Sequence, residues 1–161
     1  LITGFPEDVF VGVTPQGWMR SRGAGDRVYP HPWRVASDGL ARASAVVFSL
    51  DDVLGDWDAA LRVANRTHIL AVTTGAQGGI LFVDGVAAPF PALTVVEEDP
   101  TGAGDIFAAA FFSNLALGVA PRRAASFAAC VASRSVTRVG LMGVPGPDDV
   151  AFCESDVAAG S

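Results

Sequence analysis

Three near-continuous apolar runs, Val9–Val13, Ala45–Leu50 and Ile69–Thr73, alternate with segments whose apolar residues recur at helical spacing. A strand that is apolar on both faces must be covered on both faces, and parallel strands joined by helical crossovers achieve this. The helical segments are Trp33–Ala43, with Trp33, Ala36, Leu40 and Ala43 in period, and Asp56–Asn65, with Trp57, Ala60, Leu61 and Ala64 on one face. Further on, Gly79–Val83 and Val86–Phe90 flank Asp84-Gly85, a strong signal for a two-residue hairpin turn. Leu93–Val96 leads into the segment that follows. Two apolar helices follow, near Gly104–Leu117 and Pro121–Arg138, the second opened by a proline suited to a first helical turn. Arg20–Pro32, rich in Arg, Gly and Pro, reads as irregular, and the small acidic tail from Asp156 reads as frayed. The expectation is an α/β chain with a mostly parallel sheet covered on both faces and a late antiparallel hairpin.

Asp99-Pro100-Thr101-Gly102-Ala103-Gly104-Asp105 leads directly into the first of those apolar helices. It reads as a loop that feeds a helix N-terminus. The N–H groups at such a terminus are unpaired and the helix dipole adds partial positive charge, so the position favours an anion. Glycines admit a phosphate close to the backbone. Asp105 falls in the first turn. A carboxylate beside an anion hole suits removal of a proton from a hydroxyl that attacks a phosphoryl group. Two other strand ends carry polar residues. Val72-Thr73-Thr74-Gly75-Ala76-Gln77-Gly78-Gly79 has the form of a glycine-bearing turn, and Ser49-Leu50-Asp51-Asp52 also reads as a helix cap before Asp56-Trp57.

The run Asp99–Phe107 resembles the signature of the PfkB/ribokinase family of small-molecule kinases: Asp or Asn, any residue, Thr-Gly-Ala-Gly-Asp, any residue, Phe. Every fixed position is met. The resemblance extends from about Val9 to Asp149 and corresponds to the later part of the family's fold. It implies a ribokinase-like three-layer α/β/α sandwich with the N-terminal part and the small β-sheet lid missing. Residues 1–161 are then the C-terminal, ATP-binding and catalytic portion of a kinase domain. The implied reaction is phosphoryl transfer from ATP to a hydroxyl of a sugar or related small molecule, with Asp105 as base and the amides of Gly102, Ala103 and Gly104 as anion hole. The implied ATP site comprises Thr73, Gly75 and Gly78 of a Thr-x-Gly-x-x-Gly segment, together with Thr101, Gly102 and Gly104.

Asp52 stands where the family usually has the Glu of Asn-x-x-Glu, which organises water and Mg²⁺. Here the pattern is Ser-x-x-Asp, which keeps the charge with a shorter reach. Asp99 and Thr101 correspond to residues that bind a monovalent cation in some relatives. Gly140–Pro145 resembles the closing loop that flanks adenine. Thr14–Arg20 resembles a loop of one bacterial branch that approaches sugar or phosphates, where Arg20 would pair with an anion; Trp18 packed in a core with Arg20 solvated is the alternative. The implied partners are ATP and a small hydroxylated substrate; family members often dimerise through the lid, and a homodimer of the full-length protein is one open alternative.

Composition removes competing chemistries. All eleven basic side chains are arginine. Without lysine there is no Walker A loop and no Schiff-base catalysis. A dinucleotide-binding dehydrogenase is excluded because Gly102-Ala103-Gly104-Asp105 lacks the third glycine and no strand with an acidic end follows it. A net charge of −6 argues against a nucleic-acid backbone or an anionic membrane as partner. Cys130 and Cys153 are far apart with no Cys-x-x-Cys spacing. They are expected to be unpaired, with Cys130 a small buried hydrophobe. His31 and His68 lack partners at metal spacing; His31 reads as a loop residue and His68 as the boundary of a strand. With no visible signal peptide and no uninterrupted apolar run of ~18 residues, the chain reads as reduced, soluble and cytoplasmic. The remaining alternative to catalysis is a non-catalytic nucleotide-binding fragment or regulatory domain. Asp105 argues against it, since a pure binder has no use for a base.

Overall fold

The computed structural model describes residues 4–22, 28–30, 40 and 42–159. The chain forms two compact units, Leu1–Thr74 with Ile80–Ala88, and Gly75–Gly79 with Pro89–Ser161. Seven strands are present among the described residues: β1 (Gly12–Val13), β2 (Arg20–Arg22), β3 (Val28–Pro30), β4 (Ala45–Ser49), β5 (Ile69–Thr73), β6 (Gly79–Val83) and β7 (Val86–Phe90). The α-helices are α1 (Trp57–Ala64), α2 (Ala103–Ala116), α3 (Pro121–Ser135) and α4 (Pro147–Ala159).

Five strands form one sheet in the order β1-β4-β5-β6-β7. β1 and β4 are parallel with Val13 opposite Val46, and β4 and β5 are parallel from Val46 opposite Leu70 to Ser49 opposite Thr73. The apolar runs behave as their composition requires. Ala45, Val46, Val47 and Phe48 are buried, as are Ile69, Leu70, Ala71 and Val72. The hairpin between β6 and β7 turns at Asp84 (φ 49°) and Gly85 (φ 78°), the two positive φ values a type I′ turn needs. His68 lies just before β5, and its ring contacts the Asp84 carboxylate. The core of this first unit gathers Val13, Met19, Leu40, Val46, Val63, Leu70, Val72 and Phe82.

α1 begins where Asp56 accepts the Ala59 N–H at 3.1 Å. Its buried residues are Ala60, Val63 and Ala64, while Trp57 and Leu61 stay exposed. The buried stripe is therefore rotated towards Val63 from the expected face. Two other expectations also change. Arg20–Pro32 contains the antiparallel pair β2 and β3, with Ser21 opposite Tyr29, so its polarity marks a ribbon and not an irregular loop. The first strand is only Gly12–Val13. Leu93–Val96, which leads into the signature, has no regular secondary structure, and the Leu93 N–H is donated to Ser133 Oγ at 3.1 Å. Most of Trp33–Ala43, and His31, lie outside the described residues, although Leu40 is helical and buried.

In the second unit α2 and α3 pack together, and Phe111 of α2 and Ala124, Ala125 and Ala128 of α3 are fully buried. Alanines let the helix backbones approach closely. Pro121 opens α3 as expected, whereas the helix ends at Ser135. The tail from Asp156 is not frayed: α4 runs to Ala159, opened by Pro147 with Asp148 and Asp149 in its first turn. The cysteines are not unpaired either. Cys130 of α3 and Cys153 of α4 form a disulfide, with Cα atoms 5.7 Å apart, because the two helices pack side by side. No helix among the described residues is long and apolar enough to cross a membrane.

Candidate active site

The helix start at the glycine-rich run is left open by the chain itself. Gly102, just before α2, has φ 82°, a left-handed conformation that glycine takes without steric cost. No side chain caps the helix. Ile106 donates its N–H to the Gly102 carbonyl at 2.9 Å, and Ala103 donates to Pro100 at 3.2 Å. The amides of Gly102, Gly104 and Asp105 have no carbonyl four residues back within the helix, so they are the donors this position offers an anion. The Ala103 amide, expected among them, has a partner in the chain. A Cβ placed on Gly104 would meet nothing within 4 Å, and Gly104 and Asp105 are both exposed. Packing makes no demand for glycine at 104.

Packing instead fixes the helix from its second turn. Phe107 is buried and stacks on Phe90 at 5.5 Å and on Phe111 at 5.7 Å. Asp99 fixes the loop before it. One carboxylate oxygen accepts the Thr101 N–H at 3.0 Å, and the other accepts the Gly140 N–H at 2.9 Å. The Thr101 hydroxyl, then these two amides, hold the Asp99 carboxyl below its ordinary pKa. The turn Gly140–Gly143 is thereby tied to the signature. Gly140 has φ 56°, and a Cβ on Gly143 would lie 2.7 Å from the Ser135 carbonyl. Val139, Leu141, Met142 and Val144 around this turn are exposed.

Gly75 and Gly78 lie in the same unit and differ in role. Gly75 has φ 61° and open space around it. Gly78 has φ 86°, and a Cβ there would sit 2.1 Å from the Phe90 carbonyl and 2.8 Å from the Ala92 nitrogen. The chain's own backbone therefore requires Gly78.

Asp52 and Thr73 belong to the other unit. Thr73 ends β5 opposite Ser49, which ends β4, so both sit at the carboxyl ends of parallel strands, where α/β sheets bind ligands. Asp52 closes a capping box with Ser49. It accepts the Ser49 N–H at 3.1 Å and the Gln16 side-chain amide at 3.2 Å. With both oxygens so engaged, Asp52 does not suit direct coordination of a cation. Among the described residues no group of three His, Cys, Asp or Glu side chains is placed to hold a metal ion. Trp18 is exposed, not packed in a core.

One cluster near the signature has no counterpart among the expected site residues. Asp149 accepts bonds from Arg134 Nε at 2.7 Å, Arg138 at 2.9 Å and the Gly146 N–H at 3.0 Å. Burial alone would raise its pKa, but the Gly146 amide and the two guanidinium groups prevail and lower it to about 2. The only sequence signal was Pro147-Asp148-Asp149, a helix opening.

The sequence profile described as "pfkB family carbohydrate kinase" matches residues 45–147. An inositol 3-kinase from Oryza sativa subsp. japonica is 39% identical over 84 residues, which cover 50% of this chain and 20% of that protein. The structure of a ribokinase from Thermotoga maritima superposes with a TM-score of 0.71 at 21% identity, over 96% of this chain and 51% of that one. An aminoimidazole riboside kinase from Salmonella enterica, crystallised with aminoimidazole riboside and an ATP analogue, gives a TM-score of 0.64 at 26% identity, over 74% and 44%. The chain thus spans about half the length of the ribokinase it resembles. Its fold is ribokinase-like α/β.

Proposed function

Since the chain belongs to the pfkB family of carbohydrate kinases, we propose that it is the C-terminal, ATP-binding and catalytic portion of a kinase that transfers the terminal phosphoryl group of ATP to a hydroxyl of a sugar or related polyol. The observation that carries this reading is the open start of α2: free amides, an unobstructed Gly104 and an exposed Asp105. The Gly102 and Gly104 amides hold the phosphoryl oxygens, with Ala103 setting the turn. Asp105 accepts the proton of the attacking hydroxyl. Asp99 and Thr101 hold the loop in register, and their oxygens suit a monovalent cation beside it. The exposed apolar turn around Leu141 and Met142 offers a surface for the adenine, and Gly75 lets backbone lie against the nucleotide.

Mg²⁺ accompanies the nucleotide and neutralises phosphate charge in such reactions. With its oxygens accepting from Ser49 and Gln16, Asp52 suits a hydrated cation more than one bound directly.

The test is calorimetric titration of the chain with an ATP analogue and Mg²⁺, beside Gly104→Val. Binding that disappears in the variant, with helix content unchanged, supports the reading. Equal affinity in both overturns the anion site. Binding without phosphorylation of any polyol by the full-length protein identifies a nucleotide-binding domain without catalysis.

A further inference from the structure

α3 and α4 meet in a regular ladder. Cys130 pairs with Cys153, and one turn along each helix Arg134 pairs with Asp149. One turn the other way, Ser126 and Val157 line the same groove. That groove has a volume of about 740 Å³, and Arg122, Arg123 and Asp156 also line it. Cys130, 3% exposed, forms part of its wall, whereas Cys153 is fully buried. The groove thus meets the disulfide on its Cys130 side, at a mouth with two guanidinium groups and one carboxylate.

The other end of α4 holds the signature loop in place. Asp149 binds Arg138 and Gly146, which bracket the turn whose Gly140 amide is held by Asp99. Asp99 in turn holds Thr101.

We propose that the Cys130–Cys153 disulfide is a redox-operated staple, opened at Cys130 by a small anionic thiol entering the Arg122–Arg123 groove, and that its opening loosens α4 and the Gly140 turn. The thiolate attacks Cys130 Sγ, forming a mixed disulfide. The Cys130–Cys153 bond breaks and its electron pair leaves on Cys153 Sγ, which takes a proton from solvent. A second thiolate attacks the mixed disulfide, frees Cys130 and leaves as the oxidised dimer of the thiol. The protein disulfide is reduced by two electrons and two thiols are oxidised. The thiol exchange itself requires no phosphoryl transfer.

The oxidised 161-residue chain is treated at low salt with 2-mercaptoethanesulfonate or, as a cationic control, cysteamine. Acid-quenched mass spectrometry is expected to place the sulfonate adduct on Cys130. Opening by the sulfonate is expected to slow about fivefold in Arg122→Ser/Arg123→Ser, with no slowing for cysteamine. Full reduction is expected to speed amide exchange at Gly140 and Thr101 about tenfold. Cys153→Ser, which cannot form the staple, is expected to show that faster exchange while keeping its helix signal. Two free thiols in the air-oxidised chain, an adduct on Cys153, equal sulfonate rates with and without the arginines, or unchanged exchange at Gly140 would each overturn the proposal.

Discussion

The carboxylate of Asp99 holds the backbone amide of Gly140 at 2.9 Å, joining two loops 41 residues apart in sequence. Its other oxygen holds Thr101, so one side chain orders both the signature and the closing turn. Asp99→Ala is expected to speed amide exchange at Gly140 and Thr101 and to weaken ATP binding roughly tenfold. The folded pKa of Asp99 is depressed, so the ordered loop persists above the ordinary carboxylate pKa and is lost as pH falls through the folded value. Nucleotide affinity followed against pH in wild type and variant checks this: the two curves should converge in acid.

Asp105 is exposed in the first turn of α2, beside amides with no helical partner. In the full-length kinase, Asp105→Asn is expected to lower kcat by roughly 10²–10⁴-fold, the usual share of general-base catalysis, while leaving the Kd for ATP within a few-fold. Steady-state kinetics alongside calorimetry separate the two. Undiminished kcat removes Asp105 from the role of base.

Two glycines of the site answer to different constraints, and alanine distinguishes them. Gly104 lies inside a helix with open space around it, so Gly104→Ala is expected to leave stability unchanged or raise it by about 0.5–1 kcal/mol. In the proposed anion site the added methyl crowds the phosphate, and ATP affinity is expected to fall. Gly78 is the reverse case. A methyl there collides with the backbone of Phe90 and Ala92, at a φ of 86°. Gly78→Ala is expected to destabilise the chain by about 2 kcal/mol or more. Thermal melts and nucleotide titrations of the two variants should give opposite patterns.

Local chemistry made much of this legible. The apolar runs at Ala45–Ser49 and Ile69–Thr73 could be nothing but buried strands, and Asp84-Gly85 specified its turn outright. The signature placed the start of α2 within one residue, near Gly104 against the observed Ala103, which follows a left-handed Gly102. What stayed hidden depends on contacts distant in sequence. Nothing near Cys130 announces Cys153, because their meeting follows from how α3 and α4 pack. No local pattern indicates that the Leu93 amide bonds Ser133, 40 positions away. Asp52 carried two readings, cap or cation ligand. The structure fills the first with the Ser49 amide and adds Gln16, which no local pattern indicates.

Asp149 is nearly inaccessible to solvent, with Arg134, Arg138 and the Gly146 amide around it. Its folded pKa of about 2 lies below the ordinary value of 3.8. A depressed carboxylate contributes stability that is complete above the unfolded pKa and is lost as pH falls through the folded one. The window therefore runs from pH 4 down to 2, by order of magnitude, and the shift corresponds to ~2 kcal/mol. Asp149→Asn is expected to lower unfolding free energy by about that amount at neutral pH, since it leaves two guanidinium groups without their counter-charge. The far-UV helix signal follows the relevant unit, because α2, α3 and α4 all belong to it. Urea titrations should show a gap between wild type and variant that is full at pH 6 and nearly closed at pH 2. A gap that stays constant across that range would mean that Asp149 acts through its shape and not through its charge.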